Sequence, residues 1–457
     1  MNAAEQPSPG ALRALLSARR LKRAGGVLSA QAVVQALGFV TGILLVRLMD
    51  PAQFALLTLA SSLLVTAAVL ADLGLASAVL AEGGRQPGGA GTDWAAAWAR
   101  VCADARALQW GLAAAALLLV LPAGLVLFNR QDAPLGTALA LVSLALATAV
   151  LQARNGLALS VVRLAGDVAW QQRADLAFSA ARLAAVALAM AWWLNISAFM
   201  ALALQAATAL CMAAALHHWL RARQLAGPAR TAAGKHRPAL RSQVARQGPN
   251  AVWYALSSQL GLWLLAVLGS STDVAALGAL ARLAGVFTVV GVLMAALAQP
   301  YFARQHDGPS LVTAFGVVNG GFAALLLALL AAATTWPQAV LWLLGPAYAG
   351  LQTELLWMLA ASTLAAWGGA LYALGCARGW VLPLRWAVTS SAAGTLLAVA
   401  MLDLATPRGA LKLNALTSIF SLLAILIFMA GHLRRLSGAA PPEAAPPGAV
   451  ESGGSAA

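Results

Sequence analysis

About a dozen runs of roughly 20 mostly apolar residues, separated by short gaps, leave this chain few possible folds, because each run is as long as a helix must be to cross a bilayer. They fall near 26–48, 54–80, 108–128, 134–153, 176–194 and 197–219, then near 250–268, 274–298, 312–334, 351–373, 380–402 and 410–432. What remains could not cover the surface of a water-soluble domain: 61% of residues are hydrophobic, 10% are charged and the mean hydropathy is +0.79. The predicted fold class is an all-α polytopic membrane protein with about 12 transmembrane helices.

Positive charge occupies every second gap. One set comprises Arg13, Arg19, Arg20, Lys22 and Arg23, then Arg85, Arg100 and Arg106, then Arg154, Arg163 and Arg173. It continues through Arg221, Arg223, Arg230, Lys235, Arg237, Arg241 and Arg246 to Arg304, Arg378, Arg385, Arg434 and Arg435. The other gaps hold only Arg47, Arg130, Arg408 and Lys412. The positive-inside bias turns the first set toward the cytoplasm, which predicts a multi-pass protein of the inner (cytoplasmic) membrane with both termini inside. The net charge of +14 then meets anionic membrane lipids, and no nucleic-acid partner is expected. The first apolar run lacks a small-residue cleavage site and reads as an uncleaved span. Cys102, Cys211 and Cys376 imply no disulfide framework, and the five histidines, His217 and His218 among them, lack metal-ligand spacing. No glycine-rich loop is followed by Lys-Ser/Thr, so neither ATP hydrolysis nor a cofactor is expected.

The segment 221–248 carries seven basic residues, no acid and several Gly and Pro, and reads as a cytoplasmic linker. It divides the chain into a basic N-terminal segment (1–24), a six-helix bundle (25–220), the linker (221–248), a second six-helix bundle (249–435) and a disordered Pro/Ala/Gly/Ser tail (436–457). The bundles read as repeats. Gln31, Gln35, Gly38 and Gly42 share one face of the first span; Asn250, Tyr254, Ser257 and Gly261 follow at one constant displacement on the first span of the second bundle. Amides and hydroxyls at membrane depth must meet water, ligand or each other, so the matched faces point to a cavity between two lobes. Alternatively, the glycines are a small-xxx-small packing contact.

Arg182 and Arg282 each interrupt a span well away from its ends, where an arginine costs about 2.5–3.5 kcal/mol on insertion scales and normally faces a bundle interior or wet cavity. Asp175, Ser179 and Arg182 share a face, and Arg385 follows Arg378 at the spacing by which Arg182 follows Asp175, suggesting pseudo-equivalent arginines. A guanidinium stays charged and binds phosphate bidentately. The candidate substrate-binding set is therefore Arg182, Arg282 and Arg385, with Gln31, Gln35, Asn250, Tyr254 and Ser257 lining a hydrated path. The competing reading is a structural ion pair or snorkelling to the interface. Asp72, which shares a sector of the second span with Thr58 and Ser61, and Glu354, near the outer end of the tenth, could take a coupling proton or pair with an arginine. Arg47 points away from the Gln31 face and reads as an anchor pairing with Asp50. Trp192, Trp193, Trp253 and Trp263 could stack sugars or mark the interfacial belt.

Arg47-Leu48-Met49-Asp50-Pro51-Ala52-Gln53-Phe54, followed by Ala71-Asp72-Leu73-Gly74-Leu75-Ala76, resembles the opening hairpin of polysaccharide (O-antigen, Wzx-type) flippases of the multidrug/oligosaccharidyl-lipid/polysaccharide (MOP) exporter superfamily. Gln299-Pro300-Tyr301 and Gly345-Pro346-Ala347-Tyr348 add weaker matches, and the likeness in layout runs from about residue 20 to 435. Met49-Asp50-Pro51 stands where the family commonly has Leu-Gly-Pro, and Ala55 where it often has Gly. The resemblance implies a MATE-like V of two six-helix bundles. It also implies a polyprenyl-diphosphate-linked oligosaccharide, moved from cytoplasmic to periplasmic leaflet by alternating access, with polysaccharide polymerase or assembly proteins as possible partners. Rival readings are a cation-coupled multidrug exporter of the same fold, a membrane polysaccharide polymerase or glycosyltransferase, and a non-transporting scaffold. The short outer gaps offer no acidic surface pocket for an enzyme.

Overall fold

The computed structural model describes residues 18–84, 92–192, 196–223, 234–294, 298–303, 305, 308–378 and 380–437. Arg13, Arg85, Trp193, Arg230, Arg304, the middle of the expected linker and the tail from 438 lie outside these residues.

Helices account for all regular structure among the described residues. The first half holds α1 (Ala18–Leu48), α2 (Pro51–Asp72), α3 (Leu75–Gly84), α4 (Thr92–Asn129), α5 (Leu135–Leu164), α6 (Val168–Ala191) and α7 (Ala198–Ala222). The second holds α8 (Arg237–Leu268), α9 (Ser271–Leu283), α10 (Gly285–Leu293), α11 (Gln299–Ala303), α12 (Pro309–Thr335), α13 (Pro337–Trp342), α14 (Gln352–Ala377), α15 (Leu384–Met401) and α16 (Pro407–Ser437), with a 3-10 turn at Pro346–Tyr348. Among the described residues, twelve segments are long and apolar enough to cross a membrane; α2 with α3 forms the second, and α9 with α10 as far as Gly291 the eighth. The protein is a multi-pass membrane protein.

Several helices outrun the apolar windows. α4 begins at Thr92, α5 continues to Leu164, and α8 begins at Arg237, inside the segment expected to be a linker. Hydropathy marks only the part of a helix that lies in hydrocarbon, whereas the backbone ladder continues wherever no breaker intervenes. The extensions gather on the face where α1 begins and α16 ends, which also bears Arg100, Arg106, Arg154, Arg163, Arg221, Arg378 and Arg385; it is called the basic face below.

Helix starts are encoded locally. Asp50 caps α2 by accepting from Ala52 N at 3.1 Å, with Pro51 at the first position, where a missing N–H costs nothing. Asp50, standing where the resembled family has Gly, thus gives the turn a cap. Ser270 and Asp273 form a reciprocal capping box on α9.

α2 is the most buried span and organises the molecule. It packs on α4, α5 and α7 within its own half and on α8 and α9 of the other, while α1 packs on α6 and α10. The largest apolar cluster among the described residues runs through both halves, from Phe54, Leu59 and Leu141 to Leu280, Phe302 and Leu355, and a smaller one joins Leu75, Val101, Leu216 and Leu240. Lipid supplies no hydrophobic force between helices, so close approach by small residues does that work. At Gly278 on α9, a Cβ would sit 2.3 Å from Thr58 Oγ1 on α2.

Candidate substrate-binding site

Arg282 lies eleven residues past Ser271, about 17 Å along the eighth span, and Arg182 nine residues before Ala191, about 14 Å from the end of α6. Both side chains lean onto α1. A Cβ on Gly42 would stand 3.2 Å from Arg282 Cδ, and one on Gly38 would stand 4.0 Å from Arg182 Nη2. The glycine stripe is thus a seat for two arginines. The arginines line one cavity of about 50 Å³, with Thr41, Ser61 and Gln205 as its other polar residues, which has room for a few waters.

Neither arginine is paired with a carboxylate among the described residues. Arg182 Nε is buried with no hydrogen-bond acceptor, and Arg282 Cζ lies 5.9 Å from the ring centroid of Phe54, a cation–π contact across the halves. Arg182 belongs to the first half and Arg282 to the second, and each lies within the other's electrostatic reach. Two unneutralised guanidinium groups in a small, low-dielectric space are chemically complementary to an anion.

The eighth span breaks directly after Arg282, where α9 ends at Leu283 and α10 restarts at Gly285. At membrane depth a helix break is tolerated where it lines a cavity or is buried in protein.

The remaining candidates disperse. Gln31 and Gln35 are half-buried on α1, toward the basic face from the cavity, and make no hydrogen bond to protein; Asn250 is the same on α8. Tyr254 is 73% exposed and Ser257 Oγ donates to Tyr254 O at 3.3 Å, so neither converges on the arginines. The matched glycines meet different partners: Gly42 faces Arg282 of the other half, whereas a Cβ on Gly261 would lie 2.6 Å from Asn414 Oδ1 of its own half. Arg385 is exposed in the first turn of α15, outside the cavity. The eleventh span begins at Leu384, and Arg378 is the C-cap of α14, so the spacing shared with Asp175 and Arg182 spans a loop in one case and a helix in the other.

Both candidate coupling acids are engaged. Asp72 accepts from Gly74 N at 3.2 Å and Ala76 N at 3.1 Å, capping α3; Glu354 accepts from Arg408 at 3.0 Å in an ion pair. Arg47 does not pair with Asp50: it donates to the carbonyls of Leu343, at 2.8 Å, and Trp342, and stacks on the Trp342 ring. A cation at the C-terminal end of α13 is favoured by the helix dipole. Trp253 donates to Ser391 Oγ at 2.6 Å and Trp263 to Ser62 Oγ at 3.0 Å, so both are helix-to-helix ties. Thr41 and Gln205 are polar cavity residues that the sequence alone did not single out; the signal for Gln205 was a lone amide inside the apolar sixth span.

No protein-family model and no curated protein sequence matches the chain. Solved structures do. The inward-facing conformation of a multidrug resistance MATE family transporter of the MOP superfamily matches with a TM-score of 0.68 over 88% of this chain and 94% of that one, at 16% identity. The lipid II flippase MurJ in an inward closed conformation gives 0.68 over 88% and 87%, at 9% identity. A MATE transporter in complex with MaD3S gives 0.61 over 90% and 94%, at 15%. These neighbours are membrane transporters and a flippase, and this chain shares their fold. The architecture is the one that MOP-superfamily transporters share.

Proposed function

We propose that the protein flips a polyprenyl-diphosphate-linked oligosaccharide from the cytoplasmic to the periplasmic leaflet of the inner membrane, with the basic face cytoplasmic. The observation that carries this reading is the pair of arginines without a carboxylate partner among the described residues, one from each half, in a single cavity at membrane depth. The cavity cannot hold an oligosaccharide as it stands, so the halves must part to admit one. Parting lifts Arg282 off Gly42 and exposes both guanidinium groups to a diphosphate. Closure without an anion would press two like charges together; closure around a diphosphate neutralises them. Cargo thereby favours the occluded arrangement through its differential affinity for the two states. The unpartnered amides of Gln31, Gln35 and Asn250 supply hydrogen bonds to sugar or water along the path.

Export of organic cations by the same fold is the rival reading. It would need acids where this cavity has arginines. Transfer chemistry would need a general base at a pocket, and the two acids first considered are held in a cap and an ion pair.

The test is the fate of the lipid-linked intermediate in a deletion strain. Complete repeat units trapped on the cytoplasmic leaflet are expected. Arg282→Ala, present at wild-type level in the membrane, should fail to restore export, and Arg282→Lys should restore part of it. Full export by Arg282→Ala overturns the assignment. Truncated units would indicate a glycosyltransferase, complete unpolymerised units on the outer leaflet a polymerase, and unchanged intermediates with heightened drug sensitivity a multidrug exporter.

A further inference from the structure

A second concavity, of about 510 Å³, opens between the halves toward the basic face and shares no residue with the arginine cavity. Its walls are apolar throughout: Leu73 from the first half, Ala245, Pro249 and Trp253 on α8, and Leu384 and Val388 on α15. The Trp253 wall is fixed by its bond to Ser391. Leu384 opens α15, so the groove starts at the membrane surface and runs inward by at least the turn from Leu384 to Val388.

Its mouth is cationic. Arg241 lies one turn before Ala245 on the same face of α8, and Arg385 follows Leu384 in the first turn of α15; both are exposed and neither pairs with a carboxylate among the described residues. The acid beside the groove, Asp72, is turned onto the N–H groups of Gly74 and Ala76. An apolar trough between transmembrane helices with two free guanidinium groups at its surface end is complementary to an amphiphile with a hydrocarbon chain and an anionic phosphate.

We propose that this groove binds an anionic membrane phospholipid, its acyl chain along Pro249, Trp253 and Val388 and its phosphate between Arg241 and Arg385. Because Leu73 and α8 approach from opposite halves, the bound lipid holds the halves together at the basic face and makes that arrangement depend on lipid composition.

The test uses the purified full chain in detergent, incubated with phosphatidylglycerol or phosphatidylethanolamine and read by native mass spectrometry and thermal melting. Wild type should retain phosphatidylglycerol several-fold over phosphatidylethanolamine and melt higher with it. Arg241→Gln with Arg385→Gln should bring the two lipids to near parity and remove the melting shift, and Val388→Trp, which fills the trough, should reduce retention of both. Equal preference in wild type and the glutamine pair, or undiminished retention in Val388→Trp, overturns the proposal. So does displacement of phosphatidylglycerol by an equal amount of polyprenyl diphosphate, which would assign the groove to cargo. The measurement reads binding alone, so it stands whatever the arginine cavity transports.

Discussion

Gly42 decides where Arg282 can lie. The arginine's Cδ would be 3.2 Å from any Cβ there, and valine would add two methyls to a helix face that now carries none. Gly42→Val should therefore leave the protein in the membrane and cut transport at least ten-fold, measured by export in a strain dependent on it. Tyr348 is a second residue whose environment sets its behaviour. Its hydroxyl is buried without a hydrogen-bond partner, and burial first, then the nearby Asp50 charge, raise its pKa above the ordinary tyrosine value. The folded state holds this proton more tightly than the unfolded one, so the tyrosine has no pH effect below the unfolded value of about 10 and lowers stability as pH rises past it. Tyr348→Phe should raise stability at neutral pH by about 1 kcal/mol, because an unpaired buried hydroxyl is removed, and flatten the alkaline loss. Thermal melts at neutral and alkaline pH check both. Neither residue's environment was legible in the sequence: Gly42 read equally as a packing glycine, and the hydroxyl of Tyr348 lacks a partner only because the loop around it folds as it does.

Among the helices, the junction of α2 and α3 shows how a short motif becomes a mechanical part. Leu73 takes a left-handed conformation at φ 42°, Gly74 follows at φ 81°, and Asp72 caps the helix beyond. A Cβ on Gly74 would also stand 2.6 Å from Gln247 Oε1 on α8 of the other half. Gln247 is exposed and can swing away, so the backbone conformation is the larger obstacle. Gly74→Ala should cost about 1–2 kcal/mol, and adding Gln247→Ala should recover only a small part of it, as judged by thermal melting of the purified proteins. At the start of α8, the fully buried Asp104 accepts from Gly234 N at 2.7 Å, His236 N at 3.1 Å and Arg237 Nε at 3.1 Å, fastening that helix to the first half. Asp104→Ala strands those donors and should cost about 3 kcal/mol. The interruption of the eighth span left one trace in the sequence, Gly285, since neither Leu283 nor Ala284 is a strong helix breaker.

Across the whole molecule, the halves are tied on the face away from the basic one. Arg47 reaches the carbonyls at the end of α13, Gln131 Nε2 donates to Ala266 O at 2.7 Å, and Gly278 closes on Thr58. These ties shut the arginine cavity from that face. Arg47→Ala should loosen them. In a background with Cys102, Cys211 and Cys376 replaced by serine, a cysteine at Ser61 should then label several-fold faster with a membrane-impermeant maleimide applied to that face. Unchanged labelling would mean that the other contacts hold the face shut without Arg47.

The number of spans, the alternation of charge and the placing of Arg182 and Arg282 at membrane depth all follow from the sequence, because each depends on one helix and its solvent. Tertiary structure decided which of those helices face one another. It joined Arg182 to Arg282 over Gly38 and Gly42, added Gln205 to their cavity and left Arg385 at the surface. It also turned Arg47 from Asp50 to carbonyls nearly three hundred residues away. Helical phase says which residues share a face but not what the face meets. In a bilayer, where hydrocarbon and a neighbouring helix are nearly equal company for a leucine, only interhelical fit makes that choice.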